Sequence, residues 1–251
     1  MYVPQSLKAN PGLLAAVHPC GGTAQVFYSG TDFKPLADQY GFAVVYPDAP
    51  DATNCFDVHT DATLKHDAGG DSLGIANGVR YLIDQLDVDP EKVFATGYSS
   101  GGMMTNVLAG AYPDIFKAGA SFAGVAYACM AGPGFFNSEC DSGRRVKTAE
   151  EWGNLVRGAY PGYTGPRPKM QIWHGSQDEV VNPQNYYEAL KQWRNVFNAS
   201  ETPTATQQNW PISGWTKTEY GPDVQGIFAS GVTHFIPVQA TQVVQWMGLD
   251  K

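Results

Sequence analysis

The pentapeptide Gly97-Tyr98-Ser99-Ser100-Gly101 sets a serine hydroxyl midway between two glycines. The apolar run Val93 to Thr96 precedes it and Gly102-Met103-Met104 follows. That is the strand, turn and helix context in which Gly-x-Ser-x-Gly presents a nucleophile. Glycines are needed two residues either side because the turn is so tight that a Cβ would strike the neighbouring strand or helix. Ser99 then stands at a helix start, where free amides and the positive end of the dipole favour a developing negative oxygen. The Ser100 N–H is one such oxyanion donor. A phosphate-binding loop also uses glycines, but no Walker lysine follows Gly102. The chemistry these residues can do is acyl transfer through a covalent serine ester.

A serine nucleophile needs a base and an acid that orients it, and in strand-and-helix hydrolases these follow in the order Ser, Asp or Glu, His. Met170 to Asp178 reads as a strand ending in a tight turn that carries Asp178, and Gly231-Val232-Thr233-His234 places a histidine in a loop before the last helix. Asp178 and His234 are therefore the candidate acid and base, with Glu179 the alternative acid. His234 would take the Ser99 proton and return it to the leaving alcohol, while Asp178 would fix the imidazole tautomer. His59 and His66 precede the nucleophile and His174 ends a strand, so each reads as structural or surface. A second oxyanion donor is expected after an early strand, and Leu14 to Gly22 has that form, with the Cys20 N–H as donor and His18 as a loop-fixing residue.

These residues need a scaffold, and the chain supplies an alternating one. Leu13 to Val17, Phe42 to Tyr46, Val93 to Thr96, Ala118 to Phe122 and Met170 to Trp173 read as buried parallel strands. Ser72 to Leu86 carries Leu73, Ile75, Ala76, Val79, Leu82, Ile83 and Leu86 on one broad face, as a helix covering a sheet does. Thr148 with Glu151 forms a capping-box pattern before a helix through Tyr160, and Asn182-Pro183 opens another through Phe197. The fold class is α/β, a mostly parallel central sheet with helices on both faces. Two regions escape the alternation: Tyr127 to Lys147, read as a loop over the site, and Thr202 to Gly214.

The 251 residues fit one catalytic domain spanning 1–251. A formal charge of -8 with no basic run gives neither nucleic acid nor an anionic membrane its usual electrostatic attraction. A neutral polysaccharide meets no such barrier. No apolar stretch is long enough to cross a bilayer. Met1-Tyr2-Val3-Pro4 has none of the regions of a signal peptide and reads as the tail of a strand, so an upstream segment is expected. Four cysteines and the sequon Asn198-Ala199-Ser200 point toward an extracellular, glycosylated protein.

The chain resembles the fungal members of carbohydrate esterase family 1, which share their fold with polyhydroxybutyrate depolymerase-like esterases. The resemblance spans nearly the whole chain. It rests on His18-Pro19-Cys20-Gly21-Gly22-Thr23, Asn54-Cys55-Phe56-Asp57-Val58, Gly69-Gly70-Asp71-Ser72, the segment Gly97 to Asn106, Tyr160-Pro161-Gly162-Tyr163, Arg167 to Gln171 and Gly231-Val232-Thr233-His234. It implies the α/β-hydrolase fold and a secreted esterase that strips feruloyl or acetyl groups from xylan or arabinoxylan without metal or organic cofactor. It implies the triad Ser99, Asp178 and His234, and the bridges Cys20 to Cys55 and Cys129 to Cys140. Tyr98 and Phe136 are the candidate substrate contacts. Acetyl-specific members tend to carry Trp where this chain has Phe136, so the smaller ring favours feruloyl release over acetyl release. Other readings are a polyester depolymerase and a non-catalytic carbohydrate-binding protein on a hydrolase scaffold.

Overall fold

All five residues of β1 (Leu13–Val17) are fully buried, because strand side chains alternate between faces and both faces here are covered. In the computed structural model, which describes residues 1–251, β1 is followed by α1 (Ala24–Gly30), α2 (Phe33–Tyr40) and β2 (Ala43–Val45). Then come α3 (Asp61–Leu64), α4 (Gly70–Leu86), β3 (Val93–Tyr98), α5 (Ser100–Ala111) and β4 (Ala118–Phe122). The short α6 (Ser138–Asp141) and α7 (Ala149–Arg157) lead to β5 (Lys169–Gly175). The chain ends with α8 (Gln184–Val196), β6 (Ala205–Gln208), β7 (Trp215–Tyr220), β8 (Val224–Ala229) and α9 (Ala240–Met247).

The eight strands form one sheet in the order β2-β1-β3-β4-β5-β8-β7-β6. Strands β1 to β5 and β8 pair in parallel, whereas β7 and β6 are antiparallel. Leu13, Ala15 and Val17 pack on one face with α4, α5 and α8, and Leu14 and Ala16 pack on the other with α1, α2 and α9. This is the α/β-hydrolase arrangement, and it places Ser99, Asp178 and His234 beyond the C-terminal ends of the parallel strands β3, β5 and β8.

The capping box of Thr148 and Glu151 is present at α7, which stops at Arg157, short of Tyr160. Asn182 Oδ1 accepts the Gln184 N–H at 2.9 Å at the start of α8. The stretch Tyr127 to Lys147 is less of a loop than expected. Tyr127 to Met130 are buried, α6 follows, and the Cys129–Cys140 bridge ties the two together. Thr202 to Gly214 contains β6, whose four residues are all exposed and so carry no apolar alternation to mark a strand. β7 and β8 also escape the sequence reading. They matter because β8 pairs with β5 from Met170↔Val224 to Gly175↔Ala229 and delivers the chain to the His234 loop.

Candidate active site

Ser99 sits between β3 and α5 with φ 55° and ψ -117°, a sparsely populated conformation that costs on the order of 1–3 kcal/mol. The turn is held because the Ser99 N–H donates to Phe122 O at 2.9 Å and the Met103 N–H to Ser99 O at 2.8 Å. A Cβ on Gly97 would strike the Gly101 carbonyl, and one on Gly101 would strike the Val17 carbonyl. Both obstacles are backbone, which has no rotamer to escape into. Gly101→Ala is accordingly expected to lose about 3 kcal/mol of stability, read as a drop in thermal midpoint.

The acid and base come from adjoining strand ends. Beyond β5 the Ser176 N–H donates to Ala229 O at 2.9 Å and the Gln177 N–H to Val232 O at 2.8 Å, so the Asp178 turn is stitched to the His234 loop. The Ser99 hydroxyl lies 2.9 Å from His234 Nε2, and His234 Nδ1 lies 2.8 Å from Asp178 Oδ2. An ionised carboxylate only accepts, so Nδ1 carries the proton and Nε2 is left to accept from the serine. Asp178 Oδ1 accepts the amides of Val180 at 3.0 Å and Val181 at 2.8 Å. Burial raises its carboxyl pKa, but hydrogen bonds from His174 and His234 and from the Val181 amide outweigh that and hold it well below the usual carboxylate range. Glu179, the alternative acid, is exposed.

Cys20 and Ser100 both border the cleft beside Ser99. Ser100 is the first residue of α5, whose opening N–H groups have no intrahelical partner. The Cys20 amide donates to no group of the chain. Its loop is fixed from several sides: the Cys20–Cys55 bridge, the Gly21 N–H on Thr53 O at 3.2 Å, and His18. His18 is fully buried, donates from Nδ1 to Pro19 O at 2.7 Å, and accepts the Ala49 N–H on Nε2 at 3.2 Å. Both of its nitrogens are occupied, as a loop-fixing residue requires.

A cleft of about 190 Å³ opens beside Ser99, walled by Phe56, Met103, Met130, Phe135 and Val181, with Cys20 and Ser100 on its border. A larger cleft of about 440 Å³ near Asp48 and Asp71 shares Phe56 but does not reach Ser99, so the smaller one is the candidate substrate site. Phe136 borders the smaller cleft but is 65 % exposed, which puts it at the rim, not in the depth. Tyr98 does not line the cleft. Its hydroxyl donates to the His234 carbonyl at 2.9 Å, which ties the ring expected to touch substrate to the His234 loop instead of to the cleft wall. Burial, with Asp178 and Glu179 nearby, pushes its phenol pKa up and keeps that donor protonated. Asn198 is exposed just beyond α8. Neither His59 nor His66 reaches Ser99: His59 lies beside Asp57 and packs behind Phe135 of the cleft wall, and His66 is stacked on Tyr160.

Sequence reasoning missed Met130 and Phe135, whose place depends on the path of the Cys129–Cys140 segment, and it missed His174 beside the acid. His174 left a signal in its spacing: a strand end and Asp178 four residues apart across a tight turn.

The family model described as "Esterase PHB depolymerase" matches residues 1–203. A "Probable acetylxylan esterase A" of Neosartorya fischeri is 46% identical over 253 residues, covering 99% of this chain and 69% of the relative. "Feruloyl esterase B" of Thermothelomyces thermophilus is 48% identical over 256 residues, covering 99% of this chain and 87% of the relative. Among solved structures, "Acetyl xylan esterase from Aspergillus awamori" superposes with a TM-score of 0.96 at 42% identity, covering 99% of this chain and 92% of that one.

Proposed function

The chain belongs to the esterase PHB depolymerase family, and on that premise we propose that it is a serine carboxylesterase that removes acetyl groups from xylan. The observation that carries this reading is the relay from Ser99 Oγ through His234 to Asp178, with contacts of 2.9 and 2.8 Å. Ser99 attacks the ester carbonyl as His234 Nε2 takes its proton. The Cys20 and Ser100 amides receive the oxyanion, and His234 returns the proton to the departing sugar hydroxyl. Water then repeats the sequence on the acyl-enzyme and frees the acid.

The preference for feruloyl drawn from Phe136 is reversed. It required that ring to close the acyl pocket, and a side chain 65 % exposed at the rim does not do so. A cleft of about 190 Å³ lies below the roughly 300–1,000 Å³ typical of sites for larger ligands and suits a small acyl group. The acetylxylan esterase names of the Neosartorya and Aspergillus proteins support the same choice. The second reading, feruloyl release, is favoured by the Thermothelomyces relative and by the aromatic wall of Phe56 and Phe135. Initial rates on acetylated xylan and on methyl ferulate separate the two. Acetate release is expected to dominate, and ferulate release without acetate release would reverse the assignment. The Cys20–Cys55 and Cys129–Cys140 bridges and the exposed Asn198 support a secreted, glycosylated enzyme.

A further inference from the structure

The strand that leads into the Asp178 turn, β5, holds a second histidine that the reaction as derived leaves unused. We propose that His174 is a positioning residue for catalysis, a neutral and fixed N–H donor that clamps the Asp178 carboxylate. The inference rests on the Ser99, His234 and Asp178 reading. His174 lies near the end of β5 and is fully buried. Its Nε2–H donates to Val181 O at 2.9 Å, and the same nitrogen makes a close polar contact of 3.1 Å with Asp178 Oδ2, which shares that N–H as a second, less aligned acceptor. Both partners are acceptors, so the proton sits on Nε2. Nδ1 is buried with no hydrogen-bond partner, and a second proton there would find no acceptor. The ring therefore donates without adding a charge.

The consequence for the acid is geometric. Oδ1 is taken by the Val180 and Val181 amides, and Oδ2 lies within reach of the N–H groups of both histidines. A carboxylate held at both oxygens cannot swing its acceptor away from His234 while that ring turns from base to acid. Sharing Oδ2 also makes it less basic, which keeps the proton on His234 during turnover instead of passing to Asp178. The other ionisable groups around the acid are Tyr98, engaged on the His234 carbonyl, Glu179, exposed, and Asp141, which borders the same surface depression as Asp178. None of them donates to Oδ2.

His174→Phe keeps a planar ring and removes the donor, and His174→Gln returns an amide N–H near the place of Nε2. With p-nitrophenyl acetate, His174→Phe is expected to lower kcat by about tenfold or more at nearly constant KM. The acidic limb of its kcat profile should move to higher pH, because an Oδ2 relieved of one donor holds the His234 proton more tightly. His174→Gln should recover most of the rate and the original limb. The far-downfield proton resonance of the His234 Nδ1–H should shift in His174→Phe and return in His174→Gln. A limb and a resonance that stay in place in His174→Phe would overturn the proposal whatever the rate, since loss of packing alone moves neither. If His174→Phe does not fold, His174→Asn replaces it: its amide is too short to reach Oδ2, so a profile and resonance like those of His174→Gln would overturn the proposal. Failure of the triad reading is distinguishable, because Ser99→Ala would then retain activity.

Discussion

Ser99→Ala is expected to lower kcat on acetylated xylan by about 10⁵-fold or more while leaving the melting temperature close to that of the parent. The size follows from the relay. His234 Nε2 has one productive partner, the Ser99 hydroxyl at 2.9 Å, and without it the base has no nucleophile to activate within the cleft. The residue that remains can still occupy the turn, since alanine meets the same backbone constraint at φ 55° and the bonds from the Ser99 amide and carbonyl are main-chain bonds. Residual hydrolysis above the uncatalysed rate would come from the Cys20 and Ser100 amides acting on a water. A serine-reactive phosphonate gives an independent readout: it should label the parent and not the variant. Equal labelling of both would place the nucleophile elsewhere, and no labelling of the folded parent would favour a non-catalytic carbohydrate-binding protein.

The parts of this site that the chain announces in advance are those whose physics is local. Leu13 to Val17 is apolar throughout, and Ala118 to Phe122 is so apart from Ser121, because both are covered on both faces, and such runs read as strands without any knowledge of neighbours. Gly97 and Gly101 mark the elbow because the backbone of Gly101 and Val17 leaves no room for a Cβ. What stayed hidden depends on partners distant in the chain. β6 is exposed along its length, so nothing in its pattern separates it from a loop. β8 is recognisable only through its pairing with β5, although that pairing brings the His234 loop to the Asp178 turn. Phe136 shows the same limit from the other side. The family resemblance made its ring a pocket wall, but whether a ring closes a pocket or stands at its mouth depends on how the 130–140 segment crosses Met103 and Val181.

Asp178→Asn tests the acid more severely than removal of its charge alone would imply. The N–H groups around the carboxylate are all donors: the Val180 and Val181 amides, the His234 imidazole and, in a contact shared with Val181 O, the His174 imidazole. An asparagine brings one oxygen and one NH₂, so one side must now face donor against donor. The backbone amides cannot reverse their polarity, whereas an imidazole can change tautomer, so the oxygen stays at the Val180 and Val181 side and the NH₂ turns toward the histidines. His234 must then accept on Nδ1 and carry its proton on Nε2, where it points at the Ser99 hydroxyl and cannot accept from it. Loss of the base in this way is expected to reduce kcat by about 10⁴-fold. His174 keeps its Nε2–H on Val181 O and now meets the NH₂, donor against donor, across the 3.1 Å contact it had with Oδ2, so stability should fall by about 2 kcal/mol as well. Thermal melts at pH 7 and at lower pH separate the two effects. In the parent, a carboxylate whose folded-state pKa lies below its unfolded one contributes stability above the ordinary carboxylate value of roughly 4 and loses it as pH falls toward the folded value. The gap between parent and variant should therefore narrow as the medium is acidified. A gap independent of pH together with full activity would show that Asp178 is not the acid of this site.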